Sequence, residues 1–181
     1  MNPLRTLTGI ALVSSLTLVA GCDSAPSDGD TAETTTVQVE PASWLLGEAP
    51  AEYREVAEAK QNAEAGEEIV LRGRIGGRLD PISGESPAFI IMDASVPSCA
   101  DKDHDSCPTP WDYCCETPDS KAANSATIVV LDANGNPTDE DITAAGLAPL
   151  DEIIVVGTVK ARPNQSVFEI HATGIHKRAG G

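Results

Sequence analysis

The sequence predicts an all-β domain with one or two short helices, closed as a five-stranded barrel. Three observations carry this. Five short apolar or alternating segments fall between residues 68 and 175, each of strand length. They are rich in Ile and Val, whose branched side chains suit a pleated surface. Only 3% of the residues are aromatic, so the core has to be filled by aliphatic side chains. The alternative closure of the same strands is an open β-sandwich.

The chain of 181 residues suffices for one domain with appendages. Twelve basic against 28 acidic residues give a formal charge of −16, which repels nucleic-acid phosphates at long range, so no nucleic acid is expected as a partner. There is no P-loop, dinucleotide fingerprint, G-x-S-x-G or H-E-x-x-H pattern, and no apolar run suited to a multi-pass membrane protein. The expectation is a protein that is not an enzyme and needs no cofactor.

Residues 1–21 read as a targeting segment. Arg5 supplies a positive start, and Leu7 to Ala20 is apolar with only Ser, Thr and Gly interruptions. The run closes on Val19-Ala20-Gly21-Cys22, which resembles the lipobox of bacterial lipoproteins. That resemblance implies a cleaved signal peptide and a diacylglyceryl and palmitate anchor on Cys22. It also implies a location on the extracytoplasmic side of the cell envelope, held to the membrane by lipid. Asp23 resembles an inner-membrane retention signal that not all bacteria read, so inner and outer membrane stay open.

Residues 22–43 are rich in Asp, Ser, Thr, Pro, Ala and Glu. They cannot bury enough apolar surface to offset their ordering entropy, and they read as a disordered, lipidated tether. Residues 44–66 form a helical lead-in. Trp44-Leu45-Leu46-Gly47 suggests an anchoring turn. Ala51 to Ala65 is rich in helix formers with a thin stripe of Tyr53, Val56, Ala57 and Ala63, and Gly66 is a natural stop.

The domain proper is expected over 67–178. Glu68 to Arg78 alternates, with Ile69, Leu71 and Ile75 on one face and Arg72, Arg74 and Arg78 on the other. Ala88 to Ala94 and Ala126 to Asp132 are short apolar runs, and Asp132-Ala133-Asn134-Gly135-Asn136-Pro137 is a turn cluster. Thr138 to Gly146, with Thr138 as N-cap and Asp139, Glu140 and Asp141 in the first turn, predicts a short helix. Glu152 to Lys160 is a β-branched run, and Val167 to Ile175 closes the set after a loop at 162–165. This order of three strands, a helix and two strands resembles an OB-fold, a small Greek-key barrel. Gly73 and Gly157 suit the bends such a barrel requires in its first and fourth strands.

Between the second and third strands lies a loop over 95–124 that holds four of the five cysteines: Cys99, Cys107, Cys114 and Cys115. The block from Cys107 to Cys115 resembles one found in bacterial lipoproteins and secreted proteins, and implies no activity. A loop of this length is usually stapled or functional. Three readings stay open. Two disulfides suit an extracytoplasmic address and an even count. A vicinal Cys114–Cys115 bond is strained, so Cys99 and Cys107 would pair with Cys114 and Cys115 in either order, each bond worth about 2–3 kcal/mol. A metal site would use the four thiols with His104, which suit zinc or copper, although the C-x7-C-x6-C-C spacing is not that of a zinc ribbon. A calcium loop would use Asp101, Asp103, Asp105 and Asp112, the last at the twelfth place from Asp101, with Ser106 where a Gly is usual.

Trp111 and Tyr113 either stack on a ligand or pack over the cysteines. The stripe of Arg72, Arg74 and Arg78 either holds an anionic partner or pairs with neighbouring acids. The functional expectation is therefore an envelope lipoprotein that presents a disulfide-stapled loop to a protein or polysaccharide partner. The alternative is metal handling or redox work by the Cys/His loop.

Overall fold

The computed structural model describes residues 42–103, 106–160 and 162–179. The expected signal peptide over 1–21, Cys22 with the tether as far as residue 41, His104 and Asp105 lie outside the described residues. The elements in chain order are β1 (Arg54–Glu55), α1 (Val56–Asn62), β2 (Glu68–Ile75), β3 (Ala88–Met92), α2 (Pro118–Ala123), β4 (Ser125–Val130), β5 (Glu152–Val159) and β6 (Glu169–Lys177).

Five of these strands close into a barrel. β2 runs antiparallel to β3, β3 to β4, and β4 parallel to β6. β6 is antiparallel to β5, and β5 returns to β2 from Glu68↔Thr158 to Arg74↔Glu152. The last pairing joins the two ends of the sheet, so the barrel closure holds and the open sandwich does not. The strand order is that of an OB-like barrel. Alternation along β2 matches the pleat: Ile69, Leu71, Gly73 and Ile75 are buried while Val70, Arg72 and Arg74 are half-buried on the outer face. Phe89, Ile91, Ile128, Val130, Ile153 and Ile170 fill the interior with at most 1% exposure.

Gly157 sits at a register shift between β5 and β6. A Cβ there would lie 2.3 Å from the His171 carbonyl oxygen, so only glycine allows the two strands to approach this closely. At the end of β2 the chain leaves the sheet at Gly76 and Gly77, and Arg78 is therefore not on the strand as its pattern predicts.

Two helix expectations change. The expected helix over 51–65 is only the seven residues of α1, because Arg54 and Glu55 instead pair in parallel with Leu71 and Arg72. Asp93 caps α1 from outside, accepting the Ala57 amide at 2.8 Å, and Arg162 donates to the Lys60 and Ala63 carbonyls at its other end. Residues 138–146 form no helix. Asp141 Oδ1 accepts the amides of Thr143 and Ala144 and the Thr143 hydroxyl, a local turn that competes with helical bonding. Gly146 then reverses the chain at φ +89°. The segment contributes instead through Ile142 and Leu147, which are buried in the core.

The lead-in shares that core. Trp44 is 1% exposed and packs in the same cluster as Val56, Ala59 and Ala63. Leu45 bridges Ile175 on β6, and Leu46 and Ile175 exchange backbone hydrogen bonds with their partners on the two segments.

Candidate functional site: a cysteine cluster in the cap

The excursion from Asp93 to Asn124 begins and ends at one place, because the Asp93 amide donates to the Asn124 carbonyl at 2.8 Å as β3 gives way to β4. Between these ends the described residues form a cap with two single-turn 3-10 helices, Cys99–Asp101 and Pro110–Asp112, followed by α2. The first turn is held by its own sequence: Asp101 Oδ2 accepts both the amide and the hydroxyl of Ser98 at 2.8 Å. The same oxygen receives Arg74 from β2 at 2.5 Å. Burial works to raise the Asp101 carboxyl, and the Ser98 and Arg74 donors together hold it below the usual carboxylate range. α2 starts at Pro118, with the Thr117 hydroxyl accepting the Ser120 amide.

The second turn is positioned by docking on the barrel. Trp111 donates its indole N–H to the Leu79 carbonyl at 2.8 Å, and the Trp111 carbonyl accepts the Gly77 amide at 2.8 Å. Tyr113 takes a left-handed backbone at φ 55° and is fully buried. A Cβ on Gly76 would meet the Tyr113 ring and the Trp111 carbonyl at 2.7 Å, so glycine makes room for the cap. Burial pushes the Tyr113 phenol up to about 12. Of the two aromatics, Tyr113 therefore packs beneath the cap, out of reach of any external ligand, and Trp111 is half-buried.

These two turns bring the cysteines together. Cys114 Sγ lies 3.5 Å from both Cys99 Sγ and Cys107 Sγ, and Cys99 Sγ lies 3.7 Å from Cys115 Sγ. These are contacts between thiols; a disulfide bond is about 2.05 Å, and none is formed among the described residues. Contacts with the Cys99 and Cys107 thiols hold the proton on Cys114 and raise it well above the usual thiol range. Cys115 is raised chiefly by its contact with Cys99. Cys99 is 2% exposed, whereas Cys114 and Cys115 face solvent.

Asp112 completes the group. Its Oδ1 accepts the Cys114 amide at 2.7 Å and its Oδ2 the Thr109 hydroxyl at 3.0 Å. One ligand atom each from Cys99, Cys107, Asp112 and Cys114 lies within 4.8 Å of all the others. Sequence reasoning places Asp112 with the calcium set and not with the thiols. The signal that could have found it is an Asp two residues before a Cys, the spacing of an Asx turn. Asp101 belongs to the capping box and the Arg74 ion pair, and Asp103 is exposed.

The arginine stripe is engaged within the domain. Arg72 stacks 4.8 Å over the Tyr53 ring, bonds to Glu55 and lies 3.9 Å from Glu152. Arg74 holds Asp101, and Arg78 donates to the Asp80 carbonyl.

No family model matches the chain, and no curated protein matches it in sequence. Among solved structures it is similar to ygiW from E. coli, at 17% identity over 71% of this chain and 94% of that one, with a TM-score of 0.36. It is similar to the OBody AM1L10 bound to hen egg-white lysozyme, at 13% identity over 74% and 100% of the chains, with a TM-score of 0.42. It is also similar to an aspartyl-tRNA synthetase from Entamoeba histolytica, at 14% identity and a TM-score of 0.41, where it spans 28% of the synthetase chain.

Proposed function

We propose that this chain is a lipid-anchored envelope protein, without catalytic activity of its own, whose barrel supports a thiolate metal centre in the cap. The anchor is Cys22, on the strength of the Val19-Ala20-Gly21-Cys22 motif. The centre consists of Cys99, Cys107, Cys114 and Asp112. The observation that supports it is the mutual approach of these four ligand atoms to within 4.8 Å. A tetrahedral zinc ion with Zn–S bonds of about 2.3 Å sets its sulfurs about 3.8 Å apart, near the 3.5 Å separations from Cys114. Three thiolates and one carboxylate suit a borderline divalent cation such as zinc. Copper(I) would use the sulfurs alone. Binding displaces the thiol protons, and the hydrogen bonds to Asp112 orient its carboxylate as outer-shell groups do in metal sites.

A second reading is favoured by the same separations. Cys107 with Cys114 and Cys99 with Cys115 are each close enough to join, giving a disulfide-stapled cap that is presented to a protein or polysaccharide partner.

The full chain, reduced and stripped of metal, is titrated with cobalt(II) as a spectroscopic stand-in for zinc. The expected result is one equivalent bound, with intense tetrahedral d–d bands and thiolate-to-cobalt charge transfer that Cys107→Ser weakens strongly. Absence of those bands, with all four cysteines of the natively produced protein found in disulfides and no metal bound, establishes the stapled reading instead.

A further inference from the structure

The metal set uses three of the four sulfurs, and the fourth is placed differently. Cys115 lies outside the group of mutually close ligand atoms, yet its Sγ is 3.7 Å from that of Cys99, which is inside it. Cys115 is exposed, while Cys99 is 2% exposed, so an external oxidant reaches the first and not the second. Cys99 also contacts Cys114 at 3.5 Å, so it faces both the centre and the outlying thiol. A Cys114–Cys115 bond would need a strained vicinal ring, which leaves Cys99 as the partner for Cys115.

We infer that Cys115 is the redox trigger of the centre and not one of its ligands. This rests on the metal reading above. The oxidant is a low-molecular-weight disulfide, RSSR. The Cys115 sulfur, giving up its proton, attacks one sulfur of RSSR, forming a mixed disulfide and releasing one thiolate, which takes that proton. The Cys99 thiolate leaves the cation and attacks the Cys115 sulfur. The Cys99–Cys115 bond forms, and a second thiolate leaves and is protonated by water. Two electrons pass from Cys99 and Cys115 to RSSR, which becomes two RSH. The cation keeps two sulfurs and one carboxylate, and it dissociates. The cap thus holds metal in reducing conditions and releases it when oxidised.

The full-length chain loaded with one equivalent of zinc is mixed with oxidised glutathione. Release is followed with a chromophoric chelator, and disulfides are mapped by peptide mass under non-reducing conditions. Wild-type protein is expected to release its zinc as the Cys99–Cys115 bond appears. Cys115→Ser is expected to bind one equivalent of zinc as before and to release it at least tenfold more slowly. Cys115→Ala serves as a second variant, with circular dichroism confirming that both remain folded. The inference is overturned if either variant fails to bind zinc while folded, since Cys115 would then be a ligand. It is also overturned if the variants release zinc as fast as wild type, or if Cys107–Cys114 is the first bond to form. Wild-type protein that binds no zinc would instead overturn the metal reading, and the inference with it.

Discussion

Trp44 donates its indole N–H to Glu140 Oε2 at 2.9 Å, across 96 positions of sequence. Neither residue lies on a barrel strand. The bond joins the lead-in to the β4–β5 connection, and the ring beside it is 1% exposed within the barrel core. The domain's stability therefore depends on residues that precede its first long strand.

Trp44→Ala is expected to cost about 3–5 kcal/mol, the usual range for emptying a large aromatic site. Trp44→Phe should cost less, because it keeps most of the apolar contact while leaving Glu140 without its donor. Denaturant unfolding of both variants measures this. A loss below about 1 kcal/mol for the alanine variant would show that Trp44 is not part of the core.

Gly157→Ala adds a methyl that meets the His171 carbonyl oxygen at 2.3 Å. The β5–β6 ladder has to shift, at a cost of about 2–3 kcal/mol. Amide exchange should rise along Val155–Val159 and Ile170–Gly174 before it rises in α2. Wild-type stability in this variant would mean that the bulge is pliable.

Hydrogen bonds from Thr143 and Ala144 hold the Asp141 carboxyl below its usual range, and those from Asn136, Asn134 and Gly135 do the same for Asp132. Both groups are depressed in the folded state. Their contribution to stability is thus complete above the unfolded carboxylate value of about 3.9 and is lost as pH falls through their lower folded values. Carboxyl-carbon NMR titration should show both titrating below the ordinary Asp value of about 3.9. Thr143→Val should bring Asp141 back toward the ordinary value and leave Asp132 where it is.

Cys22→Ser should leave an unprocessed precursor of higher mass in cells that make lipoproteins, since the lipid has no thiol to join. Release of a soluble mature chain would show that the segment is an ordinary secretory signal. Metabolic labelling with a palmitate analogue reads the same question directly, and the variant should lose the label.

The alternation of Ile69, Leu71 and Ile75 with Arg72 and Arg74 is a property of neighbouring residues, and so are the β-branched runs before and after it. Strand identity and order, and from them the OB-like barrel, were legible in the sequence for that reason: a pleat of period two writes itself into every second residue. So was the place of the cysteine cap between the second and third barrel strands. The cap's internal pairing was not legible. Asp112 joins Cys99 and Cys107 only because the chain reverses at Tyr113 and docks on Gly76, and no spacing records a contact made through a third segment. The arginine stripe shows the same limit, since alternation puts Arg72 and Arg74 outward but only folding brings Glu55 and Asp101 to meet them. The turn at 138–146 carries a helix start in its sequence, and the tertiary structure set that signal aside. Asp141 satisfies the local amides, Ile142 and Leu147 enter the core, and burying those two side chains outweighs the few hydrogen bonds that one more helical turn would add.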